Sequence, residues 1–258
     1  MPVDGIFFDL GGTLFSYRNV ARTNIPLLIE SAARLGVGAT EADIKAAYAR
    51  ASLTVSQAYA DKPYYRHRDM FCDMFTTFAE LIGGRRDDAV YEWYLNTHQR
   101  ALVDCLEIKA DCIETLAALK DRGLYLSIVS NIDDDMLEPL VAREQLDRYF
   151  DHWTSSEAAG SCKPHRRFFE VAVEKSGLDP ARVLFVGDSP EHDVIGANAL
   201  GMRTVLIVED GIEPPMQTGR DAIDPDHTIR ELRELTALTA GEPYAADFAQ
   251  LFARPDRG

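Results

Sequence analysis

Ile6-Phe7-Phe8-Asp9-Leu10-Gly11-Gly12-Thr13-Leu14 is the segment from which the architecture follows. A β-branched and aromatic run ends there in a carboxylate and is broken at once by a Gly-Gly turn. Such a run predicts a buried strand, and it puts Asp9 at that strand's carboxyl end. In an open α/β sheet this is the end at which ligands bind.

Toward the carboxyl terminus the pattern alternates between helix and strand. A helix carrying Ile113, Leu116 and Leu119 stops at Gly123, and a strand is predicted over 124–129. A helix over 136–146 follows. Another over 166–176 stops at Gly177 ahead of a strand at 183–186, and one over 193–200 stops at Gly201 ahead of a strand at 204–208. A last helix is predicted around 229–238, before a Pro- and Gly-containing tail expected to be loosely held. Alternating strands and helices imply a parallel sheet with right-handed crossovers.

Between the first strand and this alternation, residues 16–107 read as helices only. Ile25, Leu28, Ile29, Ala32 and Leu35 form one apolar stripe. Thr40 and Asp43 resemble a capping box ahead of Ile44, Ala47, Tyr48, Ala51, Val55 and Ala58. Met70 to Ile82 and Val90 to Leu102 give two more stripes, with His98 on the apolar face of the last. The expected architecture is α/β: a doubly wound, Rossmann-like parallel-sheet core from residues 1–15 and 108–258, interrupted by an α-helical cap at 16–107.

Bulk properties narrow the partners. The 258 residues, 46% of them apolar, are enough for a self-sufficient core. A net charge of −15 argues against nucleic acid and against an anionic membrane surface. It leaves room for a small anionic substrate in a local pocket of opposite sign. Cys72, Cys105, Cys112 and Cys162 are widely spaced with no CxxC pair, which fits a reducing compartment. No segment reaches ~18 consecutive apolar residues, so the expectation is a cytoplasmic protein.

Four short motifs fall where a strand ends or a helix begins, so that one crevice can collect them. They are Asp9-Leu10-Gly11-Gly12-Thr13, Ser130-Asn131, Lys163-Pro164, and Gly187-Asp188-Ser189-Pro190-Glu191-His192-Asp193. Asp9 is a candidate nucleophile, because a carboxylate can split one hard displacement into two easier ones. Ser130 and Asn131 offer a hydroxyl and N–H groups at a helix start, an anion cradle to which Thr13 can add its own. Ordinary capping would account for any one of these residues alone.

In order and spacing the four motifs resemble those of the haloacid dehalogenase (HAD) superfamily, in the subgroup with a helical cap after the first core strand. That resemblance implies Asp9 as nucleophile and Lys163 as the lysine that balances its charge and the substrate's. It implies Thr13, Ser130 and Asn131 at the substrate phosphate. It also implies Mg²⁺ held by Asp9, the Gly11 carbonyl, Asp188 and Asp193. His192 reads as a solvated turn residue. Tyr17 and Arg18, and the cluster Tyr64 to Arg68, are cap candidates for substrate contact.

The motif departs from the family's phosphatases at Gly11, where they carry a second Asp for proton transfer. Such help is worth ~10²–10⁴ in rate. The expected activity is therefore Mg²⁺-dependent hydrolysis of a small phosphorylated metabolite through an aspartyl-phosphate, with weakened acid catalysis or a donor borrowed from the cap. Gly11→Asp is expected to raise turnover of poor leaving groups. Carbon–halogen or carbon–phosphorus cleavage stands as an alternative, since halide leaves without a proton. So does a phosphometabolite-binding protein that turns nothing over.

Overall fold

The computed structural model describes residues 2–219 and 223–240, so the tail after residue 240 lies outside the described residues. The strands are β1 (Gly5–Phe8), β2 (Phe15–Ser16), β3 (Glu107–Ile108), β4 (Tyr125–Ser130), β5 (His152–Ser155), β6 (Val183–Gly187), β7 (Arg203–Ile207) and β8 (His227–Ile229). The helices are α1 (Val20–Arg34), α2 (Glu41–Tyr59), α3 (His67–Leu81), α4 (Asp88–Cys105), α5 (Cys112–Asp121), α6 (Asp134–Arg143), α7 (Ser156–Ala159), α8 (Arg166–Ser176), α9 (Ile195–Asn198) and α10 (Leu235–Thr239).

Six strands form one parallel sheet in the order β5-β4-β1-β6-β7-β8. The chain builds outward from β1 to β4 and β5, then returns to β6 on the other flank. β1 is therefore the topological switch point, and a crevice opens beyond its carboxyl end. Phe8 is in register with Ile128 of β4 and Val186 of β6, which lines up the ends of all three strands. Every residue of β1 is buried, as a central parallel strand requires. Ile6 and Phe8 pack on one face with Leu116, Leu119, Leu137 and Leu140. Phe7 packs on the other with Phe168, Phe169 and Phe185.

The chain leaves the core through β2 and returns through β3, and these two pair antiparallel, Phe15 with Ile108 and Ser16 with Glu107. Between them stand α1 to α4, with α2 packed on α3 and α1 on α4. They enclose their own core of Leu28, Ala32, Ile44, Phe75, Phe78 and Tyr94. The Thr40–Asp43 capping box is present at the start of α2. On α1 the buried face is Asn24, Leu27, Leu28, Ser31 and Ala32, whereas Ile29 is 38% exposed. The expected stripe was thus rotated by a residue, because Asn24 and Ser31 are polar residues on an inward face.

Other differences from the sequence reading lie in short elements. β5 and the β2–β3 pair are too brief to show a period. Ile229 belongs to β8 rather than to a helix, and the last helix starts at Leu235. The segment expected as a helix from Asp193 begins as a π-helical turn over Pro190–Val194 before α9.

Candidate active site

Strand ends and tight turns deliver the charged residues to one place. Asp9 follows β1, its N–H bonded to the Val186 carbonyl at 2.8 Å. The turn behind it closes with Leu14 N–H and Phe15 N–H on the Leu10 carbonyl. Gly12 sits there at φ +74°, and a Cβ on it would overlap the Asp188 carboxylate, so glycine is required twice over. Asp188 leaves the end of β6, and Asp193 comes from the π-helical turn after it, accepting the Ser189 N–H at 2.9 Å. Carboxylate oxygens of Asp9, Asp188 and Asp193 lie within 4.8 Å of one another.

Lys163 lies among them. Its ammonium is 2.6 Å from Asp9 Oδ1 and 2.6 Å from Asp193 Oδ1, and the residue is only 4% exposed. Burial pushes the Asp9 carboxyl above the usual carboxylate range against the pull of Lys163, and the neighbouring Asp193 charge pushes the same way. Asp188 is raised more strongly, first by burial and then by Asp9 and Asp193. Burial disfavours the Lys163 charge, but Asp193 and Asp9 outweigh it and hold its pKa above the ordinary lysine value. An all-carboxylate donor set this close suits a hard divalent cation such as Mg²⁺, which takes oxygen ligands and would relieve the mutual repulsion.

Ser130, at the end of β4, is buried beside Asp9, and its hydroxyl favours the charged Asp9 carboxylate. Asn131 has its amide engaged elsewhere: Oδ1 accepts the Lys163 N–H at 2.7 Å and Nδ2 donates to the Lys163 carbonyl at 3.1 Å. It thereby fixes the backbone from which Lys163 reaches inward. Thr13 is fully buried, its Oγ1 has no partner among the described residues, and it is absent from the cavity wall. Its position does not bring its hydroxyl to the crevice.

The crevice continues into a cavity of about 590 Å³ that reaches from the carboxylates to α1, α2, α3 and α4. Gly11 lies on its wall beside Tyr17. A Cβ built on Gly11 would overlap the Tyr17 hydroxyl and lie 2.7 Å from Cζ of the same ring. Burial raises the Tyr17 pKa well above its ordinary value, and the Asp188, Asp9 and Asp193 charges add to this, so the phenol keeps its proton. The sequence marks Tyr17 as a candidate for substrate contact at the entry to the cap, not as a partner of Gly11. Its place beside Gly11 depends on the turn at residues 10–15.

Other residues are placed differently from expectation. His192 is half-buried rather than solvated: it lines the cavity, its Nδ1 is 2.9 Å from Ser189 Oγ, and burial lowers its pKa to about 4. In the aromatic and basic cluster, Tyr65 and His67 are buried and line the cavity while Tyr64 is exposed. The N–H groups of His67 and Arg68 both donate to the Asp133 carboxylate at 2.9 Å, so a core residue caps α3. His98 is a core histidine, 4.8 Å from Phe71 and 5.3 Å from Tyr94 between ring centroids, and it borders the cavity too. Sequence reasoning missed Asp133, and also Glu191, whose carboxylate takes the N–H groups of Thr218 and Gly219. That bond fastens a loop whose Ile212 and Met216 close the cavity's far side.

The chain is similar to several known hydrolases. Haloacid dehalogenase-like hydrolase domain-containing protein 3 of Bos taurus is 37% identical over 124 residues, 47% of this chain and 47% of that protein. The chain thus spans about half the length of these curated relatives. Glyceraldehyde 3-phosphate phosphatase of Methanocaldococcus jannaschii is 28% identical over 240 residues, 92% of this chain and 96% of that one. (S)-2-haloacid dehalogenase 4A of Burkholderia cepacia is 33% identical over 130 residues, 50% and 54% of the two chains. Among solved structures, the HAD-hydrolase YfnB from Bacillus subtilis bound to magnesium shares the fold with a TM-score of 0.74 at 20% identity, covering 93% of this chain and 99% of that one. Residues 3–201 match the haloacid dehalogenase-like hydrolase family, and the chain belongs to that family of hydrolases.

Proposed function

We propose that the protein is a Mg²⁺-dependent phosphohydrolase acting on a small anionic phosphomonoester through an aspartyl-phosphate on Asp9. The observation that carries this is the cluster of buried Asp9, Lys163 and Asp193 with half-buried Asp188 at the sheet's switch point. Asp9 attacks phosphorus and the bond to the leaving oxygen breaks; water then attacks the aspartyl-phosphate, freeing phosphate and the carboxylate. Lys163 holds Asp9 in place and offsets charge on the phosphoryl oxygens. Ser130, with the backbone N–H at Asn131, faces the phosphoryl group. Asp9, the Gly11 carbonyl, Asp188 and Asp193 would hold Mg²⁺, which supplies charge neutralisation when bound.

Tyr17 provides the hydroxyl that Gly11 cannot. It gives its proton to the departing oxygen and recovers one from the water that cleaves the intermediate. The support is positional: the phenol stands where a side chain on residue 11 would start. The insertion at 16–107 acts as a cap on a core of 1–15 and 108–258, and the four free thiols support a reducing, cytoplasmic setting.

Attack of Asp9 on a 2-haloacid carbon is the second reading, favoured by the missing carboxylate at Gly11 and by the dehalogenase relative. One experiment separates the two: release of phosphate from 4-nitrophenyl phosphate and of chloride from 2-chloropropionate, with Mg²⁺ and with chelator, beside Asp9→Asn. Phosphate release that chelator and Asp9→Asn both abolish is the expected result. Halide release insensitive to chelator would replace the proposal with the dehalogenase.

A further inference from the structure

The cavity beyond the carboxylates has walls of a different chemistry from its floor. Leu28, Met70, Phe71, Met74, Leu102 and Met136 line it, drawn from α1, α3, α4 and α6. All of these except Phe71 are buried, and they are contributed by both the insertion and the core. Each lysine or arginine on the wall already faces a carboxylate. Lys163 holds Asp9 and Asp193, Lys45 lies 2.5 Å from Glu41, and Arg18 lies 3.0 Å from Glu209. His98, packed between the rings of Phe71 and Tyr94 with its pKa lowered to about 4 by burial, adds no charge at neutral pH.

This surface is poorly suited to a sugar. Asn24, Tyr48, Ser52 and Tyr65 also reach the wall, but a polyhydroxylated body would still set several hydroxyls against methionine, leucine and phenylalanine, and hydroxyls buried without partners oppose binding. A second phosphate would meet no wall cation that lacks a carboxylate. The volume, about 590 Å³, is that of a site for a drug-sized molecule, well beyond a three-carbon ester. Methionines give such a wall the ability to adapt to an irregular apolar shape.

We infer that the substrate is a phosphomonoester of a bulky apolar alcohol, aromatic or branched aliphatic, whose body fills the chamber between the helical insertion and the sheet while its phosphate lies at Asp9. This rests on the phosphohydrolase reading for the phosphate end, and on the chamber alone for the apolar end. A bulky apolar body displaces water from the walls, and that burial drives its binding. It also shields the phosphate from competing water as the ester breaks.

The test compares esters whose leaving groups are all alkoxides, so that leaving-group acidity does not decide the outcome. With Mg²⁺, kcat/KM is measured for 2-(2-naphthyl)ethyl phosphate, ribose 5-phosphate and glyceraldehyde 3-phosphate. In parallel, calorimetry follows binding of the parent alcohol, 2-(2-naphthyl)ethanol, to the wild-type protein and to two variants. Met74→Gln makes the wall polar, and Ser52→Trp, at a half-buried position on α2, fills the chamber without burying a charge. The expected result is at least a hundredfold preference for the naphthyl ester, with alcohol binding weakened tenfold or more in both variants.

Equal or better turnover of the sugar esters, together with no detectable alcohol binding, would overturn the inference and leave the phosphohydrolase standing. Alcohol binding that both variants weaken, with no phosphate released from any ester, would uphold the chamber and remove the phosphohydrolase. Alcohol binding that neither folded variant changes would place the alcohol elsewhere and overturn the inference. Melting temperatures of the variants establish that they are folded.

Discussion

The hydroxyl of Tyr17 stands in the space where a side chain on Gly11 would begin. The family's second aspartate is therefore not simply missing. The vacated volume is filled by a half-buried phenol from six residues downstream, beside the same carboxylates. Gly11 and Tyr17 form one steric unit, and substitutions at either must be judged with the other.

Gly11→Asp illustrates this. Sequence alone suggests a gain in alkyl phosphate hydrolysis. The structure reverses that expectation, because the new Cβ would meet Tyr17 Cζ at 2.7 Å and Cε1 at 3.0 Å. Overpacking of this kind costs about 1–3 kcal/mol, and the added carboxylate enters an already crowded acidic cluster. The single variant is expected to melt earlier and lose turnover. Gly11→Asp with Tyr17→Ala makes room, and its hydrolysis of alkyl phosphates should exceed that of either single variant. A single Gly11→Asp variant as stable and as active as wild type would contradict the overlap.

Tyr17→Phe keeps the ring and removes the hydroxyl. If the phenol donates to the leaving oxygen, alkyl phosphate turnover should fall by ~10² or more, within the usual range for general acid catalysis. Turnover of 4-nitrophenyl phosphate, whose leaving group needs no proton, should change little. An equal loss on both esters would make Tyr17 a positioning residue instead.

Asp133 ties the helical insertion to the core through its bonds to the first N–H groups of α3. Burial opposes its charge, but the His67 imidazole 3.7 Å away and hydrogen bonds from the Arg68 and His67 backbone N–H groups outweigh it and lower its pKa. Asp133→Ala leaves those N–H groups without their acceptor and should cost about 1–2 kcal/mol, as loss of a helix cap does. Urea denaturation measures it. Because the folded pKa is depressed, this contribution is present above the unfolded value of 3.8 and is lost as pH falls through the folded one.

His98 makes acid sensitivity testable in a second way. Its pKa is lowered from 6.5 to about 4 by burial, so the unfolded chain takes up its proton first as pH drops. The sign is fixed: the stability of neutral His98 is full above 6.5 and is lost progressively toward 4, by up to roughly 3 kcal/mol. His98→Phe preserves ring packing with Phe71 and Tyr94 and should flatten the stability profile between pH 6.5 and 4. An unchanged slope in the variant would assign that acid sensitivity to other groups.

The core was legible in the order of residues. A fully apolar strand at 5–8, glycines closing helices at Gly123, Gly177 and Gly201, and a sustained alternation of elements leave little choice but a parallel sheet. Strand-end placement also made Asp9, Ser130, Lys163, Asp188 and Asp193 legible as neighbours, because every strand of a parallel sheet presents its carboxyl end to the same side. Only tertiary structure decided that Asn131 serves the Lys163 backbone, that Thr13 turns away, that Tyr17 replaces a side chain on Gly11, and that Asn24 joins the buried face of α1. Periodicity reports which face of an element is buried. It is silent on which distant side chain enters a gap, since close packing is settled between elements that the sequence keeps far apart.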